Sequence, residues 1–168
     1  NSMFTYIAIL FIASVLPVII IGNYIYNKDR DKEPTYLLKN LFCGGIGCCF
    51  VAAFLEMIVA SFFPEEDAMD MLQLLEYVFI GVALIEEACK CYVVYHYAYN
   101  NDAFDYFYDG IVYAVFVALG FACFENITYV FTYGITTALV RGVLSVPGHA
   151  CFGVFMGYYM SLAKVASV

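Results

Sequence analysis

The sequence predicts an all-α protein, a polytopic membrane helix bundle of about five transmembrane helices around an intramembrane polar pocket. Three observations carry that expectation. Of the 168 residues, 64% are hydrophobic and 13% charged, against about 45–50% and about 25% in soluble domains. The hydrophobic residues fall into runs close to the roughly 20 residues a helix needs to cross a bilayer. Ionisable side chains nevertheless recur inside those runs, where each is expensive unless paired or wetted. The net charge of −8, with seven Lys and Arg in all, leaves no basic stripe and argues against a nucleic-acid partner. The lipid bilayer is the expected surrounding.

The first span covers residues 4–26, aliphatic and aromatic with no charge before Lys28. A polar link, Lys28-Asp29-Arg30-Asp31-Lys32-Glu33-Pro34, follows it. The second span, 36–63, contains Cys43-Gly44-Gly45-Ile46-Gly47, small residues that let helix backbones approach closely in lipid. Pro64-Glu65-Glu66-Asp67 closes it. The third, 72–97, ends in Asn100-Asn101-Asp102, and the fourth, 105–133, opens on Asp105, a carboxylate suited to a helix start. The fifth, 137–164, is expected to break at Pro147-Gly148, which removes a helical hydrogen bond and adds backbone freedom. All five form one domain, 1–168. Lys28, Arg30, Lys32 and Lys39 around the first link, with Lys164 at the far end of the last span, put the N-terminus outside and the C-terminus inside. Aromatic residues from Tyr92 to Tyr108 form an interfacial belt that includes His96. The seven cysteines lie in apolar runs without C-x-x-C spacing and read as packing residues.

Three spans carry polar groups far from either end. Glu86, Glu87 and Lys90 lie in the third, Glu125 and Asn126 in the fourth, Arg141 and His149 in the fifth. At about 1.5 Å per residue, Glu86 is roughly 21 Å from Leu72, Glu125 roughly 12 Å from Tyr133 and His149 roughly 18 Å from Thr137. Those depths allow a meeting. Leaving Glu86, Glu87, Lys90 and Glu125 unpaired in lipid would cost on the order of 10 kcal/mol, which argues for one. Glu86 and Lys90 are four apart with Glu first, the favourable order for a pair. Glu87 points about 100° away, so one lysine is not expected to serve both acids equally. Asp109 would support the site from nearer the inner surface, and Arg141 would snorkel or pair with an acid. Glu56 is expected near the headgroups, with joining the cluster as the lesser alternative. His149, Gly153 and Gly157 share a face and suggest a groove with room for water or a substrate backbone.

Four blocks then stand in order: Glu86-Glu87-Ala88-Cys89-Lys90, Phe104-Asp105-Tyr106-Phe107-Tyr108-Asp109-Gly110-Ile111-Val112-Tyr113, Gly120-Phe121-Ala122-Cys123-Phe124-Glu125-Asn126, and Arg141 through His149 to Tyr158. Together they resemble the EExxK motif, second block, glutamate motif and histidine block of PrsW-type intramembrane proteases. The likeness covers roughly residues 25–163. It extends to the wider superfamily of CAAX prenyl endopeptidases and bacteriocin-immunity membrane proteases. Phe121 and Glu125 form F-x-x-x-E where CAAX-type members carry F-x-x-x-H. Family members continue into further spans, so this chain is expected to be truncated at its C-terminus.

The resemblance implies hydrolysis of a peptide bond in a membrane-anchored protein, such as a single-span anti-sigma factor in a bacterial cytoplasmic membrane. It implies Glu86, Glu87, Glu125 and His149 as catalytic residues or as ligands of zinc or another divalent metal. Lys90, Asn126, Asp109 and Arg141 would support them. Glu86 would be the base, with Glu87 or Glu125 on the same water or metal. His149 would stabilise the oxyanion, protonate the leaving amine or ligate the metal. A metal-free version, with closely spaced carboxylates sharing a proton, stays open beside it. The rival readings are a proton- or ion-coupled carrier using the same acids, and a scaffold whose polar groups glue helices together.

Overall fold

The computed structural model describes residues 2–166. α1 (Ser2–Lys28) and α2 (Thr35–Ala60) come first, followed by a 3-10 turn (Glu66–Ala68). α3 (Met71–Glu76), a π-helical stretch (Tyr77–Ala83), α4 (Leu84–Val94) and a second π-helical stretch (Tyr95–Tyr99) then run on without a gap. α5 (Phe107–Tyr133), α6 (Ile135–Val143) and α7 (Ser145–Ala166) complete the bundle, with no strand among the described residues.

Four segments are long and apolar enough to cross a membrane: Ser2–Lys28, Thr35–Ala60, Phe107–Tyr133 and Ile135–Ala166. The expected third span corresponds to the joined run from α3 to the second π stretch, helical throughout but with widened turns. The expected fifth span is two helices, and its break falls at Leu144 rather than at Pro147-Gly148. Pro147 lies in the first turn of α7, where it forfeits no hydrogen bond to a preceding turn.

α5 is the axis of the bundle. Of its most apolar stretch 72% is buried, against 17% or 22% for the other three candidate spans. Helices α1, α2, α4, α6 and α7 all pack against it. Their outer faces carry exposed residues such as Phe11, Ile20, Phe54, Leu139 and Phe155, a surface suited to lipid. Glycine sets the spacing at two crossings. A Cβ on Gly120 would collide with the Phe42 carbonyl, and one on Gly45 with the Val117 carbonyl, so α2 and α5 meet backbone to backbone. Gly157 lies equally close to the Gly110 carbonyl, where α7 meets α5. The expected groove along His149, Gly153 and Gly157 is therefore filled by α5. These small residues serve helix packing, as in lipid generally.

At one end of the bundle the first link folds back onto α5. Glu33 is buried there against the Tyr113 hydroxyl, whose single proton lies within hydrogen-bond reach of both the Glu33 carboxyl and the Ala103 carbonyl. Burial pushes the Glu33 carboxyl from 4.5 up to about 8, against the Tyr113 hydrogen bond and with help from Asp109 and Asp29. Lys164 reaches the same end, donating to the Tyr99 carbonyl at 2.8 Å.

Two outcomes are expected. Gly120→Val should lower the unfolding midpoint in detergent by the equivalent of about 1–3 kcal/mol or more, as overpacking does; an unchanged midpoint contradicts the close crossing. The unfolded chain releases the Glu33 proton near 4.5 while the folded chain holds it to about 8. Stability contributed by this group is therefore present at acid pH, falls as pH rises across that window and levels off above it. Glu33→Gln should flatten that fall in the midpoint-versus-pH curve, and an unaltered slope rejects the assignment.

Candidate functional site

The site forms where the first turns of α4 and α7 come alongside the last third of α5. Glu86, Glu87 and Lys90 sit at i, i+1 and i+4 on α4, directly after the π-helical stretch, a distortion frequent beside functional sites. The Lys90 ammonium is 3.2 Å from Glu86 Oε2 and 2.7 Å from Glu87 Oε1. One lysine thus does serve both acids, because residues three and four apart both neighbour it on a helix. Its side chain is 1% exposed, and the ammonium lies 4.0 Å above the Phe121 ring, a cation–π contact.

His149 comes in from α7. Its Nδ1 is 3.0 Å from Lys90 Nζ and its Nε2 is 3.0 Å from Glu125 Oε2. An ammonium only donates, so Nδ1 accepts from Lys90, and Nε2 carries the proton and donates it to Glu125. The network assigns this tautomer. Phe121, one turn before Glu125 on α5, packs its ring 5.6 Å from the imidazole. The F-x-x-x-E spacing therefore puts an aromatic floor and a carboxylate against the same histidine.

Glu125 is fixed from its other side by Arg141 of α6, whose guanidinium donates to Oε2 at 2.7 Å. Arg141 also stacks 4.0 Å over Tyr129 and donates through Nε to Asn126 Oδ1 at 3.3 Å. Arg141 thus pairs with an acid within the bundle. Asn126, expected to support the site, does so by holding Arg141, and it ties α5 to α1 by donating to the Ser14 carbonyl at 2.7 Å.

The sequence-expected residues separate into groups. Glu86, Glu87 and His149 each offer a ligand atom within 4.8 Å of the others. Glu125 stands apart from that trio, on the opposite edge of the imidazole. Asp109 does not join them. It lies four and a half turns earlier on α5, roughly 24 Å along the axis, and its Oδ2 accepts from the backbone amides of Asp105 and Tyr106 at 3.0 and 2.6 Å. It caps the helix start, as an acid suits an N-terminus. His96 stacks on Tyr92 and meets Tyr97 edge-on, and the cysteines are free thiols.

A cavity of about 240 Å³ opens beside the cluster, lined by Glu56, Glu86 and Glu125 with Cys49, Phe121 and Tyr129. It has room for several water molecules. Glu56, expected near the headgroups, shares this cavity. Its signal was legible: Cys49, Ala53 and Glu56 stand at i, i+4 and i+7 on α2, one face that also lines the cavity.

Residues 33–168 match the model of the PrsW family intramembrane metalloproteases. The chain is similar to a Protease PrsW of Geobacillus kaustophilus, 38% identical over 92% of this chain and 66% of that protein. A Protease PrsW of Oceanobacillus iheyensis is 38% identical over 90% of this chain and 68% of its own length. One from Bacillus subtilis is 32% identical over 92% and 69%. The chain thus spans about two thirds of the length of these relatives. No solved structure matches it. By the family model and by these relatives, the chain belongs to the PrsW family of intramembrane metalloproteases.

Proposed function

We propose that this chain hydrolyses a peptide bond in a membrane-anchored protein at the Glu86–Glu87–His149 cluster. One observation supports this best: acids from α4 and an imidazole from α7 converge beside a cavity large enough for water. Family membership favours hydrolysis over the proton- or ion-coupled carrier that the same carboxylates would otherwise suit.

In the proposed reaction Glu86, which borders both the trio and the cavity, takes a proton from a bound water. The water oxygen bonds to the scissile carbonyl carbon, and the proton passes to the departing amine as the C–N bond breaks. Glu125 and Arg141 position rather than react. By accepting the Nε2 proton, Glu125 turns Nδ1 of His149 toward the reacting centre. Two carboxylates and one imidazole are also a suitable donor set for zinc or another divalent ion. Such an ion would supply Lewis-acid activation of water and carbonyl.

The substrate class proposed is a single-span regulator such as an anti-sigma factor, within a bacterial cytoplasmic membrane. Lys28, Arg30, Lys32, Lys39 and Lys164 all belong to one end of the bundle, which supports an inside C-terminus and an outside N-terminus.

In proteoliposomes with a single-span substrate, Glu86→Gln and His149→Ala should each lower cleavage by about 10²-fold or more. Undiminished cleavage in either removes that residue from the site. A chelator in the same assay abolishes cleavage if an ion is required and spares it if the carboxylates act alone. Arg141→Gln should lower the rate by about 10–100-fold, the range for partners of a reacting group, with Arg141→Lys recovering part of it. Equal losses in both variants would point to packing instead.

A further inference from the structure

The Glu86–Glu87–His149 trio already holds a cation. Lys90 Nζ is 3.2 Å from Glu86 Oε2, 2.7 Å from Glu87 Oε1 and 3.0 Å from His149 Nδ1, so a single ammonium donates to an acceptor atom from each residue. Those three residues are also the group whose ligand atoms could close on a metal ion. The donor types fit a divalent ion. Their centre, however, is filled. Below the ammonium lies the face of Phe121 at 4.0 Å, and the lysine is fully buried. Two cations cannot share this place, because almost no solvent screens them from each other.

We infer that the Lys90 ammonium and a divalent metal ion exclude one another at one position, the lysine holding it until the metal displaces the ammonium. This rests on the metal-dependent form of the proposed function. Lys90 is then a positioning residue with two effects. In the metal-free chain it bonds both half-buried carboxylates and offsets one of their two charges, and so favours folding of the bundle within lipid before any ion arrives. Toward the metal it is a competitor. An apparent affinity weakens in proportion to the fraction of molecules whose site is open. If the lysine stands clear in about a tenth of them, the metal binds about tenfold more weakly than its donors allow. The flexible four-carbon stem gives the Lys90 ammonium rotamer freedom to swing aside.

The experiment uses the purified chain in detergent, with Co²⁺ as the probe, read by its ligand-field absorption and by the unfolding midpoint with and without chelator. Lys90→Met keeps the stem and removes the charge. It should bind one Co²⁺ about tenfold or more tightly than the unaltered chain, and lose that gain when His149→Ala is added. Its midpoint should drop in chelator, whereas that of the unaltered chain should hold. Lys90→Met binding Co²⁺ no more tightly than the unaltered chain overturns the inference, as does an absence of Co²⁺ binding in both. Neither result depends on cleavage, so hydrolysis by the carboxylates alone can survive the loss of this idea. Should Lys90→Met not fold in either condition, the unaltered chain decides. Amine labelling of Lys90, followed by peptide mass spectrometry, should rise at saturating Co²⁺, and unchanged labelling overturns the displacement.

Discussion

The bundle depends on one buried ammonium. Lys90 bridges Glu86 and Glu87, offsetting one of their two charges, while its ammonium rests on Phe121 and its third contact engages His149. Without it, two adjacent carboxylates would stand among apolar helices, and removal of one partner from a buried ion pair typically destabilises by about 3–5 kcal/mol. In lipid the alternative is worse, because no water waits outside the helix to take up the charge. The same contact gives the site its direction. A donor-only ammonium makes His149 Nδ1 an acceptor, which leaves the Nε2 proton for Glu125. A structural ion pair and the tautomer of a candidate catalytic imidazole are therefore one arrangement.

That arrangement requires helices close enough for short side chains to meet, and the glycine crossings provide it. Gly45 and Gly120 bring α2 and α5 into backbone contact, and Gly110 and Gly157 do the same for α5 and α7. Glu125 then faces the start of α7 instead of lipid. The break at Leu144 contributes separately. It lets α6 carry Arg141 to the outer side of Glu125 while α7 starts afresh and presents His149 to the inner side. A straight helix over both would set residues 141 and 149 about 12 Å apart along its axis and about 80° apart around it, too far along the axis for both to close easily on one carboxylate oxygen.

Much of this was legible in the sequence, for stated reasons. Membrane helices announce themselves by composition, so the extents of α1, α2 and α5 differ from the expected spans by a few residues at most. Charges inside apolar runs are costly enough that their pairing follows from the sequence alone. Three features were not legible. The register between helices set which acid joined which trio, and depth alone could not separate Glu125 from Glu86 and Glu87. A span begun at Asp105 sets Asp109 a turn inside it, as a supporting group; the helix begins at Phe107, and the carboxylate turns back to cap it. The Pro147-Gly148 pair read as a break because proline is a helix breaker inside a helix. In a first turn it is a helix starter, and the true break lies three residues earlier.

The carboxylate at 125 and the guanidinium at 141 belong together. Glu125 Oε2 accepts from Arg141 at 2.7 Å and from His149 Nε2 at 3.0 Å. A carboxylate oxygen has lone pairs for both donors. An imidazole in the same place has a single acceptor nitrogen, which could receive one of the two donors and would leave the other buried without a partner. If that imidazole were charged it would face Arg141 as a like charge. The F-x-x-x-E spelling is thus consistent with a neighbouring arginine, whereas an F-x-x-x-H spelling would need a different residue at 141. The result is a site organised around one imidazole with two unlike edges. Nδ1 looks toward Lys90 and the paired acids of α4, and Nε2 looks toward a carboxylate already committed to a cation. Only the first edge is free to exchange its partner, so any chemistry of this cluster that requires a change of ligand has to begin there.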